Sequence, residues 1–368
     1  MLKQLHVDNF RCLINFDIQF DSINLLLGDN GSGKTTVFEA IRRLQRFLTD
    51  GVTVEDTFPP SDVTRWLNSP IQTFQLNFIL AGQEYGYELR VEHDMHRRLS
   101  RVSYEELKCD GRPLFLFSEG TATLFRDDFS TGPQLIFDWS RSGVGAVQPR
   151  PENSRLIQFR QALDKLVIVR LNPFAMDAES RKEDMKLGAR AENFVSWYRY
   201  ASSEFGMGTD AFKTELRQSI DNFESLSLVT VGTEAKVLKA HFHRSRDTRD
   251  LCDFTFAELS EGQKVMVVLY FLLFGLKGQH YSLFIDEPDN FLALREIQPW
   301  IVALTDLIGD GLEQAVLISH HPEIINYLGG SKGRWFFRAE SGHARVTDVP
   351  PDTGGLSLSE TLARGWDK

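Results

Sequence analysis

A strand pattern runs into a glycine-rich turn and out into a helix. Ile23-Asn24-Leu25-Leu26-Leu27 leads to Gly28-Asp29-Asn30-Gly31-Ser32-Gly33-Lys34-Thr35, and apolar residues then recur at Val37, Ala40, Ile41, Leu44 and Leu48. This junction restricts the fold more than any other stretch. A near-continuous apolar run suits a parallel strand covered on both faces, and the later spacing suits a helix with one buried face. A turn this short needs Gly28 and Gly33 so that backbone N–H groups face inward. GxxxxGK[ST] between strand and helix is the loop that cradles phosphates at a helix N-terminus. Asp29, Asn30, Gly31, Ser32, Gly33, Lys34, Thr35 and Thr36 are therefore the predicted nucleotide contacts. Lys34 is expected on the β- and γ-phosphates and the Thr35 hydroxyl on Mg²⁺.

Three further motifs follow in order. Leu259-Ser260-Glu261-Gly262-Gln263 precedes the apolar stretch Val265 to Leu276, which reads as a helix buried on all sides. Leu283-Phe284-Ile285-Asp286-Glu287-Pro288 is an apolar strand ending in two carboxylates. Asp286 suits a Mg²⁺ contact, and Glu287 suits the general base that orients an attacking water. Ala315-Val316-Leu317-Ile318-Ser319-His320-His321-Pro322 is another apolar strand running to a histidine pair. The pattern favours His320 over His321 as the side chain that senses a γ-phosphate.

Apolar residues make up 42% of the 368 and charged residues 25%, with 28 phenylalanines, which predicts substantial buried cores. The net charge of -10 excludes a uniformly basic nucleic-acid coat. Cys12, Cys109 and Cys252 form no CxxC, the pattern of a reducing compartment without a zinc site. Met1 to Val7 starts directly on a strand pattern, so no signal peptide is expected. The stretch 265–276 is too short to span a bilayer. These features predict a cytoplasmic protein without membrane contact.

Phe16 to Phe20 alternates with period two. Residues 50–70 read as an irregular connection with Pro59, Pro60 and Pro70. Phe74, Leu76, Phe78 and Leu80, then Tyr85, Tyr87, Leu89 and Val91, predict a hairpin turning at 81–84. Short strands are expected over 99–137, a loop over 141–151 and a strand at Leu166–Val169. Helices are expected at 193–202 and 210–223, and a hairpin from Val229–Val231 and Val237–Phe242. Residues 256–328 read as helix, strand, helix, strand, followed by strands at 334–338 and 344–349.

The four motifs, in this order, resemble the ATP-binding-cassette ATPases. Asn9-Phe10-Arg11 before GxNGSGKT, and the long interval 36–258 before the signature, are similar to the RecF, SMC and OLD-like branch, an AAA-family ATPase type found in bacterial anti-phage defence. The resemblance covers residues 1–48 and 256–325. It implies an α/β P-loop NTPase fold: an ABC-ATPase head with a mixed central sheet, an antiparallel β subdomain and a helical subdomain. One head then covers 1–368, with a core lobe of 1–50 and 256–349, a β-rich region over 70–140 and a helical region over 177–225. No long heptad run interrupts the interval, so an SMC-like coiled-coil arm is not expected.

The resemblance also assigns roles. ATP and Mg²⁺ are the implied ligands. Lys34, Glu287 and His320 form the catalytic set, and Thr35 and Asp286 hold the metal. Ser260, Glu261, Gly262 and Gln263 form a signature that acts in trans on the ATP of a second copy. Glu261 stands where the commonest signature has glycine. Asp289-Asn290-Phe291-Leu292 corresponds to a D-loop crossing between subunits. The family's Q-loop glutamine stays unassigned among Gln72, Gln83 and the better-placed Asn172. The implied assembly is a homodimer of ATP-sandwiched heads, or a higher oligomer built from it.

Weaker signals remain. Lys236, Lys239, Arg244, Arg246 and Arg249, with His241 and His243, form the most basic stretch, either a DNA contact or a solvated hairpin face. Arg97, Arg98 and Arg101 are a lesser cluster. Asp184-Met185-Lys186 is too common a pattern to indicate a nuclease. With 40 residues after Leu328, a TOPRIM-like domain is not expected. The expected function is an ATP-hydrolysing switch in phage defence or DNA repair, acting through a separately encoded nuclease or toxin. The alternatives are a slow ATP-gated clamp or scaffold, and a RecF-like loader.

Overall fold

The computed structural model describes residues 1–204, 209–244, 250–349 and 357–363. The chain divides into two compact units, Met1–Leu166 with Lys332–Val349, and Val167–Ser331 with Pro350–Lys368.

The first unit contains an antiparallel sheet of eight strands. Their order is Phe16–Gln19, Leu2–Asp8, Ile71–Leu80, Gln83–Asp94, Leu99–Cys109, Arg112–Ser118, Thr121–Phe125 and Thr131–Ile136. The period-two pattern becomes cross-strand pairs: Phe74 opposite Leu89, Leu76 opposite Tyr87, Phe78 opposite Tyr85. Ala81 and Gly82, with φ of 50° and 80°, make a two-residue turn. The strands therefore run to Leu80 and resume at Gln83, tighter than the spacing suggested. Phe159, on the helix Ser154–Asp164, packs against Phe78, Tyr85 and Tyr87 and covers this face.

The strand Ile23–Gly28 pairs in parallel with Gly333–Arg338, which pairs antiparallel with Ala344–Asp348. Helix Lys34–Thr49 buries Val37, Phe38, Ala40, Ile41, Leu44, Phe47 and Leu48. The ring chain Phe47, Phe58, Phe74, Phe10 joins this helix to the large sheet, with centroids 4.8–5.7 Å apart.

In the second unit, Tyr281–Asp286 and Leu312–Ile318 pair in parallel, with Leu166–Val169 beside the former. A small antiparallel sheet centres on Ala235–His243, which pairs with Phe223–Val231, Glu179–Ser180 and Leu251–Thr255. Two sequence expectations change here. Phe223 begins a strand, because its helix ends at Ser219. Leu251–Thr255 is a strand whose exposure lacks the alternation that would have revealed it. The stretch 265–276 also changes: helix Glu261–Tyr270 gives way to a π turn over Phe271–Gly275. That turn directs the Leu272 and Leu273 carbonyls at the buried Tyr281 hydroxyl. Phe271 is ringed by Phe194, Trp197, Tyr198 and Phe212 at 4.9–6.0 Å, which ties helices Phe194–Glu204 and Thr209–Ser219 to it. Among the described residues no helix is long and apolar enough to cross a membrane.

Phe271→Ala empties the centre of this cluster and is expected to cost about 3–5 kcal/mol. Phe271→Leu should cost under about 1.5 kcal/mol. Hydrogen exchange of the Glu261–Tyr270 amides reads both. In the first unit, His93 is buried between Gln72 and Ser100, and desolvation lowers its pKa to about 4. Its folded pKa lies below the unfolded value near 6.5, so the unfolded chain binds the extra proton between those values. Stability of this unit should therefore fall by up to about 3 kcal/mol from pH 6.5 to 4 and stay level above. His93→Gln should flatten that window in denaturation curves taken across pH.

Candidate functional site

The glycine loop lies in the first unit. Its strand Ile23–Gly28 is buried throughout. Gly28 has φ 131°, and a Cβ there would stand 2.0 Å from the Phe336 carbonyl oxygen. Gly33 has φ 116°, and its Cβ would meet Ala344 Cβ at 3.0 Å and Cys12 Sγ at 3.2 Å. Arg338 reaches over from the same hairpin and donates to the Gly31 carbonyl at 2.8 Å and the Gly342 carbonyl at 2.7 Å. Ser32 N donates to the Asp29 carbonyl, closing the turn. Helix Lys34–Thr49 starts at the end of this loop, with no side-chain cap and no acidic residue in its first turn.

Lys34 is almost fully buried, and its ammonium donates to the Gly28 and Asp29 carbonyls at 2.6 and 3.0 Å. The Ser32 hydroxyl is buried without a hydrogen-bond partner. A buried hydroxyl beside a lysine and a helix N-terminus, in a loop too tight for side chains, fits a phosphate group. Asp29, Asn30, Gly31 and Thr35 are exposed, and Thr36 Oγ1 lies 3.7 Å from Cys12 Sγ.

The other predicted residues lie in the second unit. Ser260 caps helix Glu261–Tyr270: Gln263 N donates to Ser260 Oγ at 3.3 Å, and Ser260 N donates to Gln263 Oε1 at 3.0 Å. This reciprocal cap holds the loop rigid. Ser260 and Glu261 remain exposed at the helix's positive end. Gly262 is required sterically, since a Cβ would meet the Phe291 carbonyl oxygen at 2.8 Å. Phe291, with φ 74°, stacks edge to face on Phe174, and both rings are exposed.

Asp286 is buried at the end of its strand. Glu287 turns the chain at φ 55°, with its N–H donating to the Ile318 carbonyl at 2.8 Å. Its carboxylate oxygen Oε2 accepts from Arg170 Nη2 at 2.5 Å and from Asn290 Nδ2 at 2.8 Å. Ser319 Oγ donates to Asp289 Oδ1 at 2.6 Å and accepts from His321 N at 2.9 Å. His321 Nδ1 accepts from Glu323 N and so caps the next helix, while His320 is exposed.

None of the three Q-loop candidates offers an uncommitted side chain. Gln72 is buried between Asn9 and His93, Gln83 donates to Asp110, and Asn172 accepts from Phe174 N. Part of the basic stretch meets acids: Lys239 and His241 meet Asp253, and His243 meets Glu224, while Arg244 Nε donates to Cys252 Sγ. Arg246 and Arg249 lie outside the described residues. Arg97 and Arg101 pair with Asp94 and Glu92. Sequence reasoning missed Arg170, Ser319 and Arg338. Arg170 follows a predicted strand directly, the one local signal that could have marked it.

Comparison with known proteins gives the family and the fold. A family model described as "AAA domain, putative AbiEii toxin, Type IV TA system" matches residues 23–326. An OLD nuclease of Thermus scotoductus and the DNA replication and repair protein RecF of Shewanella loihica are each 49% identical over 41 residues, 11% of this chain. The DNA double-strand break repair Rad50 ATPase of Archaeoglobus fulgidus is 36% identical over 86 residues, 23% of this chain. These matches span 8%, 11% and 9% of the relatives' own lengths. A solved SMC head, crystallised with the C-winged helix domain of ScpA, covers 98% of this chain and 99% of its own at TM-score 0.55 and 14% identity, which shows a shared fold. The chain belongs to the AAA-domain family whose model spans its motifs, and its fold is that of an SMC-like ATP-binding-cassette ATPase head.

Proposed function

We propose that the protein is an ATP-hydrolysing head that works in pairs, each copy presenting its Ser260 loop to the ATP held by the other. The observation that carries the reading is the phosphate loop with its buried, unpartnered Ser32 hydroxyl. A capped and exposed Ser260 extends it to a pair, through the resemblance of Ser260–Gln263 to a signature that acts in trans. Nucleotide binding would draw the Lys34 ammonium from the Gly28 and Asp29 carbonyls onto phosphate oxygens. Thr35 and Asp286 would hold Mg²⁺, which when bound offsets phosphate charge. One hydroxyl and one carboxylate are enough for Mg²⁺, whose other positions go to water and phosphate. In hydrolysis the water oxygen bonds to the γ-phosphorus as the bridging bond to ADP breaks, and Glu287 takes the water's proton. His320 would serve as the γ-phosphate sensor, with His321 capping its own helix.

The output is proposed to be a DNA-directed process in phage defence or repair, carried by a separate effector. Support comes from the names of the relatives, from the toxin–antitoxin wording of the family, and from the ScpA-bound SMC head. The contacts of Lys239 and His241 with Asp253, and of His243 with Glu224, favour a protein effector over a broad DNA footprint. The same motifs would also serve a slow clamp, and hydrolysis decides between the two: loss of function in Glu287→Gln supports the motor, retained function the clamp.

Lys34→Ala should weaken ATP binding by about 10–100-fold, the value of charge-assisted hydrogen bonds, measured by calorimetry. Unchanged affinity would contradict the phosphate-loop assignment. Ser260→Arg should keep ATP affinity within about twofold yet cut hydrolysis at least about tenfold and abolish ATP-dependent dimers in light scattering. A fully active variant would sink the paired mechanism.

A further inference from the structure

We propose that Arg170 is a positioning residue of the reaction: its guanidinium holds the Glu287 carboxylate and restrains it as a base. The proposal rests on the reading of Glu287 as the base.

Glu287 is fixed by its backbone, through its bond to Ile318, and its side chain is fixed by two donors on one oxygen. Arg170 Nη2 and Asn290 Nδ2 approach Oε2 at 2.5 and 2.8 Å. A base has to offer a lone pair and negative charge to the attacking water. An oxygen that already accepts from a guanidinium and an amide offers less of both. Asn290 sits three residues along the same turn, its N–H donating to the Glu287 carbonyl, so it moves with Glu287. Arg170 comes from a separate segment, and it is the donor that is able to leave.

The backbone around Arg170 is pinned, with Arg170 N donating to the Ala189 carbonyl and Asn172 N to the Arg190 carbonyl. The side chain is 57% exposed against 27% for Glu287. The guanidinium therefore swings on a fixed base without leaving a buried site. Its planar fork suits carboxylate and phosphate alike. Without the guanidinium, Glu287 Oε2 keeps only the Asn290 donor, and more of its negative charge is left for the attacking water. None of the Q-loop candidates has an uncommitted side chain, and Arg170 occupies the segment between that strand and Asn172.

Single-turnover hydrolysis and equilibrium ATP binding by the full chain test this, using wild type, Arg170→Ala, Arg170→Lys, Glu287→Gln and the R170A/E287Q double variant. R170A should hydrolyse about fivefold faster, the rate equivalent of one exposed ion pair. Its ATP affinity should stay within about twofold, because Arg170 is engaged by Glu287. R170K, which keeps the cation, should return close to wild type. In the E287Q background the R170A change should have no effect, which a merely structural role would not produce. An unchanged R170A rate, or a slower rate in both backgrounds, overturns the hold. Wild-type hydrolysis by E287Q refutes the base assignment itself and is read separately.

Discussion

The approach of Gly28 to the Phe336 carbonyl is the contact on which the first unit depends. At this spacing no side chain fits, so strand Ile23–Gly28 and strand Gly333–Arg338 lie backbone to backbone in parallel register. From that pairing the hairpin delivers Arg338 to the Gly31 carbonyl and Ala344 to Gly33. The phosphate loop is thus shaped by residues about three hundred positions away in sequence. The loop is held from outside, and the Ser32 hydroxyl stays buried in it without a hydrogen-bond partner.

The Asn9-Phe10-Arg11 turn plays a similar supporting part. Asn9 and Arg11 take positive φ, and the buried Asn9 amide donates to the Ser69 and Ile71 carbonyls while its carbonyl oxygen accepts from Thr64 N. Arg11 and Arg43 share Asp62, and Arg43 also pairs with Glu39 on the loop helix. Burial tends to disfavour the ionised Glu39 carboxylate, but Arg43 and Arg42 outweigh it and hold its pKa below the usual carboxylate value. A triplet that served as a family marker in the sequence is a structural clamp on the helix behind the phosphate loop.

In the second unit the same economy appears at strand ends. Parallel strands expose their C-terminal ends together, so Asp286, Glu287, Ser319 and His320 emerge in neighbouring register. Short polar links then tie the side chains around them to separate partners, Ser319 to Asp289, His321 to its own helix, and Glu287 to Arg170 and Asn290. Gly262 against Phe291 brings the signature and the turn after Glu287 into one assembly.

Much of this was legible from local pattern. The glycine spacing, the apolar runs ending in Asp286-Glu287 and Ser319-His320, and the period-two hairpin each state their local structure, because strand and helix periodicity and glycine's backbone freedom act over a few residues. Leu251–Thr255 was not legible, since an exposed edge strand needs no apolar alternation. Nor was the π turn at Phe271, which depends on the aromatic rings around it. Sequence alone determined the glycine loop and the helix that starts from it, because that local geometry sits in one contiguous stretch. Only the tertiary structure decided that Arg338 braces the loop, that Gln72 serves His93, and that Arg170 grips Glu287. Those contacts join side chains from distant segments, and no local spacing encodes them.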